Sequence, residues 1–193
     1  ALQVPMSSII ATVGAAGVAI ALALQSSLSN VAGGFLIMFT HPFKCGDFIE
    51  INGISGTVSA ITILYTRLLT LDNKAVLIPN GTVSGSTIIN YTQENYRRLD
   101  INFSIDYEAD YHQAEKIILD VIKSNSLALD TPEKPFITIS AHADSAIKIL
   151  ARVWVKSSDY WELNYQLLEQ VKDKFDENGI IIPYNKLDVH IEK

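Results

Sequence analysis

The sequence predicts a membrane-crossing helical segment joined to an α+β body, on three observations. Residues 1–43 contain no Asp, Glu, Lys or Arg, and every charge of the chain lies from Lys44 onward. Residues 48–91 fall into short β-branched runs divided by turn residues. Residues 98–182 show longer strands alternating with two helical apolar periods. One chain is thus written for two solvents.

The composition excludes several classes. With 193 residues and 48% apolar content, the chain can bury a core and is not a disordered polymer. A net charge of -6 argues against nucleic acid, which needs a clustered excess of Lys and Arg to neutralise phosphates. The single Cys45 rules out an internal disulfide. His41, His112, His142 and His190 stand too far apart to show a metal-ligand spacing, so no metal or cofactor is expected.

Residues 4–24 form an apolar run of 21, relieved only by Ser7, Ser8 and Thr12. A helix needs about 20 residues to cross hydrocarbon. A signal peptide is the competing reading, but it requires a basic start and an early cleavage site, whereas apolar sequence continues to Phe39. The chain opens on Ala1 rather than Met, from which a longer parent with upstream helices is expected. Gly14, Ala15, Gly17, Ala19 and Ala21 are small enough for neighbouring helices to approach closely in a bilayer. Gln25, Ser26, Ser27, Ser29 and Asn30 interrupt the run, and Leu28, Val31, Phe35 and Phe39 then recur near helical spacing. A second, interfacial helix is predicted there, ending at His41-Pro42-Phe43 because proline disfavours helix in the residue before it.

Five strands are predicted at 48–51, 56–63, 68–71, 75–78 and 87–91, with turns at Asn52-Gly53, Asp72-Asn73 and Pro79-Asn80-Gly81. So many short strands indicate a small barrel-like sheet. Next come a strand at 98–105, a helix capped by Asp110, strands at 136–141 and 146–155, and a helix over 159–178 stopped by Gly179. A final strand is predicted at 180–182. The order β-α-β-β-α-β is that of ferredoxin-like folds. Residues 187–191 alternate as a further strand. The expected divisions are therefore 1–43, 44–93, 94–183 and 184–193.

No catalytic constellation emerges, and an enzyme is not expected. Asp106, Glu108 and Asp110 are the densest carboxylate cluster, but such alternation before a helix is the pattern of a strand end plus an N-cap. No nucleophile turn and no Gly-rich phosphate loop with Lys is present. Arg97-Arg98 fits surface pairing at a domain boundary better than anion binding. Along the first helix, Ala11, Ala15, Val18, Leu22 and Gln25 share one face. Several copies around an axis would stack a Val18 ring one turn before a Leu22 ring, and narrow apolar rings exclude water and ions. Periodicity alone favours the plainer reading, that both residues pack against other helices or lipid.

The motifs resemble one family closely: the small-conductance mechanosensitive channels. The resemblance spans nearly the whole chain and rests on Gly14-Ala15-Ala16-Gly17, Ala21-Leu22-Ala23-Leu24-Gln25, Ser29-Asn30, Pro42-Phe43, Gly46-Asp47, Gly56-Thr57-Val58 and Ile78-Pro79-Asn80-Gly81. Asn90-Tyr91, Tyr107 with Asp110, Val153-Trp154 and Pro183-Tyr184 add to it. It implies a homoheptamer in a bacterial inner membrane, multi-pass in its full length, whose first helix lines a pore. The rest would form a cytoplasmic chamber: an Sm-like β domain over 44–93, a ferredoxin-like α/β domain and a C-terminal β tail. Val18 and Leu22 match the family's gate positions. Tension would open the gate by favouring a state of larger in-plane area, releasing ions and small osmolytes on hypo-osmotic shock. Val18 stands where the family commonly has leucine, and Ser26 where a glycine is common at the bend after Gln25, leaving Gly34 as a further bend position. A membrane-anchored ring that does not conduct, serving as a scaffold or ligand sensor, is the alternative.

Overall fold

The computed structural model describes residues 5–187. The chain folds as two compact units, residues 1–93 and 94–193.

The first unit begins with one long helix, α1 (Met6–Thr40), where the sequence predicts two. Gln25, Ser26 and residues 27–30 interrupt the apolar pattern but not the helix, since none of them lacks a backbone N–H or forbids helical dihedrals. The end is where Pro42 places it: His41 adopts a left-handed conformation (φ 49°) and its N–H bonds the Ile37 carbonyl at 2.9 Å. Phe43 then turns into the core.

The sheet of this unit contains β1 (Phe48–Ile51), β2 (Ile54–Ile61), β3 (Tyr65–Leu69), β4 (Ala75–Pro79) and β5 (Ile88–Asn90), in the order β4-β3-β2-β1-β5. All pairs are antiparallel. Asn52 (φ 51°) and Gly53 (φ 79°) both take positive φ, the two-residue turn that matches strand twist, and so fix Ile51 opposite Ile54. Asp47 joins the two ends of the domain, its Oδ2 accepting from the Lys44 N–H at 2.9 Å and from Asn90 Nδ2 at 2.8 Å. A short helix, α2 (Asn80–Ser84), replaces the turn expected at Pro79-Asn80-Gly81. Ile49, Ile51, Val58, Leu68, Ile78 and Val83 form the core, together with Ile37 from the last turn of α1.

The second unit packs two helices on a three-stranded antiparallel sheet. It comprises β6 (Tyr96–Ile105), α3 (Tyr111–Ser124), β7 (Phe136–His142), β8 (Ile147–Lys156) and α4 (Tyr160–Glu177), with strand order β6-β8-β7. Alternate residues of β6 and β8, among them Leu99, Ile101, Ile149 and Val153, face Ile118, Ile122, Leu163, Leu167 and Phe175 of the helices. The predicted Asp110 cap is formed, its Oδ1 accepting from the His112 N–H at 2.8 Å and the Gln113 N–H at 3.3 Å. Gly179 (φ 72°) follows the helix as expected.

The last predicted strand is not formed. Residues 180–182 run beside the end of β6 but share one backbone bond there, Asp106 N–H to the Ile181 carbonyl at 2.9 Å, where a ladder needs several. The ferredoxin-like order is thus complete except for its closing strand. Of the tail strand expected at 187–191, residues 188–191 lie outside the described residues, and Leu187 is not in a strand.

Residues 183–187 are held by side chains instead. Lys186 Nζ lies 2.6 Å from Asp106 Oδ2, and the Lys186 N–H donates to Ser145 Oγ at 3.0 Å. The Lys186 ammonium, aided by the Glu108 N–H, holds the Asp106 carboxyl below its ordinary pKa, while Asp106 raises that of Lys186. Stability from Asp106 is therefore full above the unfolded carboxyl pKa of about 3.8 and is lost as pH falls through the lower folded value. In Lys186→Met, the Asp106 carboxyl is expected to titrate closer to 3.8, read by carbon NMR of the side chain. An unchanged titration would show that Lys186 does not hold it.

Candidate functional site: the long helix and its seat

Helix α1 divides into two parts that its sequence explains separately. Residues 6–29 are exposed throughout, and α1 is the one helix among the described residues long and apolar enough to cross a membrane. In water such a surface would be strongly unfavourable, at about 25 cal/mol for each Å² of apolar area, so lipid or neighbouring helices must cover it. Val18 and Leu22 are 61% and 66% exposed, one turn apart. Gly14 and Gly17 face open space, since a Cβ at either would meet nothing within 4 Å. Ala15, Ala19 and Ala21 are exposed as well. Gln25 and Ser26 lie in unbroken helix.

The lower part of α1 sits on the β domain through contacts that sequence reasoning missed. Gly33 and Gly34 are buried. A Cβ at Gly34 would overlap the Ile63 carbonyl and come within 2.6 Å of Asn80 Nδ2. One at Gly33 would reach 2.8 Å from Ser84 Oγ and overlap the Asn80 carbonyl. Gly34, expected as a bend position, is therefore a point of close approach. The partner surface is α2, whose Gly81 N–H donates to Asn30 Oδ1 at 2.9 Å.

Asn80 organises this seat. Its side chain is fully buried, with Nδ2 donating to the Thr62 carbonyl at 2.8 Å and Oδ1 accepting from buried Thr66 Oγ1 at 2.8 Å. Its own N–H bonds the Leu64 carbonyl at 2.9 Å. One amide thus links the β2–β3 turn, strand β3 and the start of α2 beneath α1, and Pro79 before it fixes the entry to α2 (φ -58°). The signal in the sequence was the Gly33-Gly34 pair inside an otherwise good helix, which marks close backbone approach.

Among the described residues the partners of the carboxylate cluster are structural. Asp110 caps α3, Asp106 holds Lys186, and the Glu108 N–H bonds Asp106 Oδ1 at 3.1 Å. Among the described residues no group of three His, Cys, Asp or Glu side chains is placed to hold a metal. Arg98 pairs with Asp100 at 2.6 Å, and the Arg97 guanidinium lies 3.9 Å from the centre of the Tyr160 ring.

Two family models match the chain: the β-domain of mechanosensitive ion channels over residues 26–93, and the MscS C-terminal domain over residues 99–182. The small-conductance mechanosensitive channel of Edwardsiella ictaluri is 38% identical over 92% of this chain, and the chain covers 62% of it. An uncharacterized MscS family protein of Synechocystis is 41% identical over 98% of the chain, which spans 64% of that relative. The small-conductance mechanosensitive channel of Helicobacter pylori is 38% identical over 99% of the chain, which covers 70% of it. The crystal structure of Helicobacter pylori MscS in its closed state superposes with a TM-score of 0.92 at 37% identity, covering 100% of this chain and 76% of that one. Arabidopsis thaliana MSL1, at 23% identity and a TM-score of 0.79, shares the fold. With both family models matched and a relative 38% identical over 99% of the chain and covered to 70%, the chain belongs to one family: the MscS family of mechanosensitive channels.

Proposed function

We propose that this chain is the pore helix and cytoplasmic body of a tension-gated channel, assembled as a ring of seven copies in a bacterial inner membrane. The observation that carries this reading is the fully exposed apolar stretch of α1 over residues 6–29. At about 100° per residue, Gly14, Gly17 and Ala21 flank the Val18–Leu22 face on one side, and Ala15 and Ala19 flank it on the other. Small residues on both flanks let adjacent copies pack closely while Val18 and Leu22 turn to the axis. A ring of Leu22 side chains beneath a ring of Val18 then forms an apolar constriction that expels water, and an ion cannot shed its hydration there. Membrane tension favours the wider state, in which the constriction wets and ions and small osmolytes pass on hypo-osmotic shock.

Patch recording under graded suction, with the full-length protein in a bilayer of pure lipid, tests this. Stepwise currents whose probability rises with suction are expected. Silence from an intact ring would overturn the reading in favour of an anchored scaffold.

A further inference from the structure

Three asparagines of this chain stand directly before glycine: Asn52-Gly53, Asn80-Gly81 and Asn178-Gly179. Asparagine is among the thermolabile residues, and a following glycine exposes the reason. The glycine amide nitrogen, giving up its proton to water, attacks the asparagine Cγ. The Cγ–Nδ2 bond breaks, ammonia leaves and a five-membered succinimide closes. Water then opens that ring at one carbonyl or the other, giving aspartate or isoaspartate. Glycine favours the attack because it has no Cβ to shield its nitrogen and leaves the backbone free to turn. Closure also needs an asparagine side chain free to swing, a glycine N–H without an acceptor, and access for water.

The fold supplies these conditions unequally. At Asn80 it withholds all of them. The side chain is buried, Nδ2 donates to the Thr62 carbonyl at 2.8 Å, Oδ1 accepts from Thr66 Oγ1, and the Gly81 N–H donates to Asn30 Oδ1 at 2.9 Å. Asn178 is exposed, but both reacting groups are engaged at the end of α4: Nδ2 donates to the Lys174 carbonyl at 2.8 Å, and the Gly179 N–H to the Asp176 carbonyl at 3.3 Å.

At the β1–β2 turn the conditions are met. Asn52 and Gly53 are both exposed, and a Cβ at Gly53 would meet nothing within 4 Å. Among the described residues nothing accepts the Gly53 N–H. One bond restrains the amide: Asn52 Nδ2 donates to Ser86 Oγ at 3.0 Å, and Ser86 Oγ in turn donates to the Thr82 carbonyl at 2.7 Å. We propose that Asn52 is a site of spontaneous deamidation, with the Ser86 hydroxyl as its restraint. The two products differ in what they do to the turn. Aspartate keeps it, because Asp tolerates positive φ as Asn does. Isoaspartate adds a methylene to the main chain, so the two-residue turn that sets Ile51 opposite Ile54 no longer fits.

Full-length protein in detergent, aged in mildly alkaline buffer and digested at intervals, tests this by peptide mass. Methyl transfer by an isoaspartyl methyltransferase reports the isoaspartate. Amide-to-acid conversion is expected first at Asn52, more slowly at Asn178, and not at Asn80 while circular dichroism stays native. Ser86→Ala is expected to speed conversion at Asn52 about three- to tenfold, the change in free population on removing one hydrogen bond of ordinary net strength, and to leave Asn178 unchanged. The order of the three sites in wild type tests the proposal without any variant. Conversion at Asn178 or Asn80 before Asn52 would overturn it. So would an Asn52 left intact over a time in which urea-unfolded protein converts, or an unchanged rate in folded Ser86→Ala.

Discussion

Leu22→Ser is expected to make the closed channel leak, so that cells expressing the full-length variant grow poorly and patches show current without suction. The argument is one of wetting. An apolar ring stays dry because water inside it forgoes hydrogen bonds that the wall cannot replace, and a hydroxyl on every copy restores them. Leu22 is expected to dominate over Val18, whose side chain is one methylene shorter and leaves a wider ring; Val18→Ser should leak less. Loss of stability is not a competing explanation, because Leu22 is 66% exposed within its own chain and supports no intrachain core. Leu24 supplies the control. It is 57% exposed and lies about 200° round the helix from Leu22, so Leu24→Ser changes the same apolarity on the opposite face. Equal growth of the Leu22→Ser and wild-type strains, with equal protein in the membrane, would remove Leu22 from the gate.

The elements that the sequence made legible are those whose causes are local. The strand 48–51 matches β1 residue for residue, and the Asn52-Gly53 turn and the Asp110 cap depend on neighbours a few positions away. The errors come from causes that are not local. The polar residues Gln25, Ser26, Ser27, Ser29 and Asn30 predict a division of α1, yet the helix runs unbroken through them to its seat on the β domain, with Asn30 already bonding Gly81 fifty-one positions on. Helix α2, with the sequence Asn-Gly-Thr-Val-Ser, has little helix propensity of its own and forms because Asn80 is fixed by Thr62, Leu64 and Thr66. The closing strand at 180–182 has the right composition but one bond to β6, so strand propensity without a ladder partner did not become a strand. Of the candidate site, the Val18–Leu22 face could be read from helical period, whereas the Gly34–Asn80 seat required the fold.

Asn80→Asp at that seat is expected to give a destabilisation whose size depends on pH in a direction opposite to that of most native carboxylates. The substitution keeps Oδ1 for the Thr66 hydroxyl but replaces the Nδ2 donor with an oxygen facing the Thr62 carbonyl. Two acceptors then meet in a site with no solvent access, and an unsatisfied buried polar group costs about 1–3 kcal/mol, more if charged. Burial without a cation raises the carboxyl pKa in the folded state above its unfolded value near 3.9. The folded state therefore binds more protons than the unfolded one between those values, and stability falls as pH rises through that window. Below it the protonated acid can donate to Thr62, and the variant should approach wild type. Gly34→Ala reaches the same seat from α1: its methyl would press on the Ile63 backbone, which cannot rotate away, so α1 must lift at about 1–3 kcal/mol. Hydrogen exchange of the full-length protein over residues 80–84 reads both variants, because the Gly81 amide is protected by Asn30 of α1. Faster exchange in Gly34→Ala at any pH, and in Asn80→Asp at neutral pH with recovery in acid, would establish the seat as the joint between α1 and the β domain. Exchange unchanged in both would mean that α1 is held by its apolar contacts at Ile37 alone.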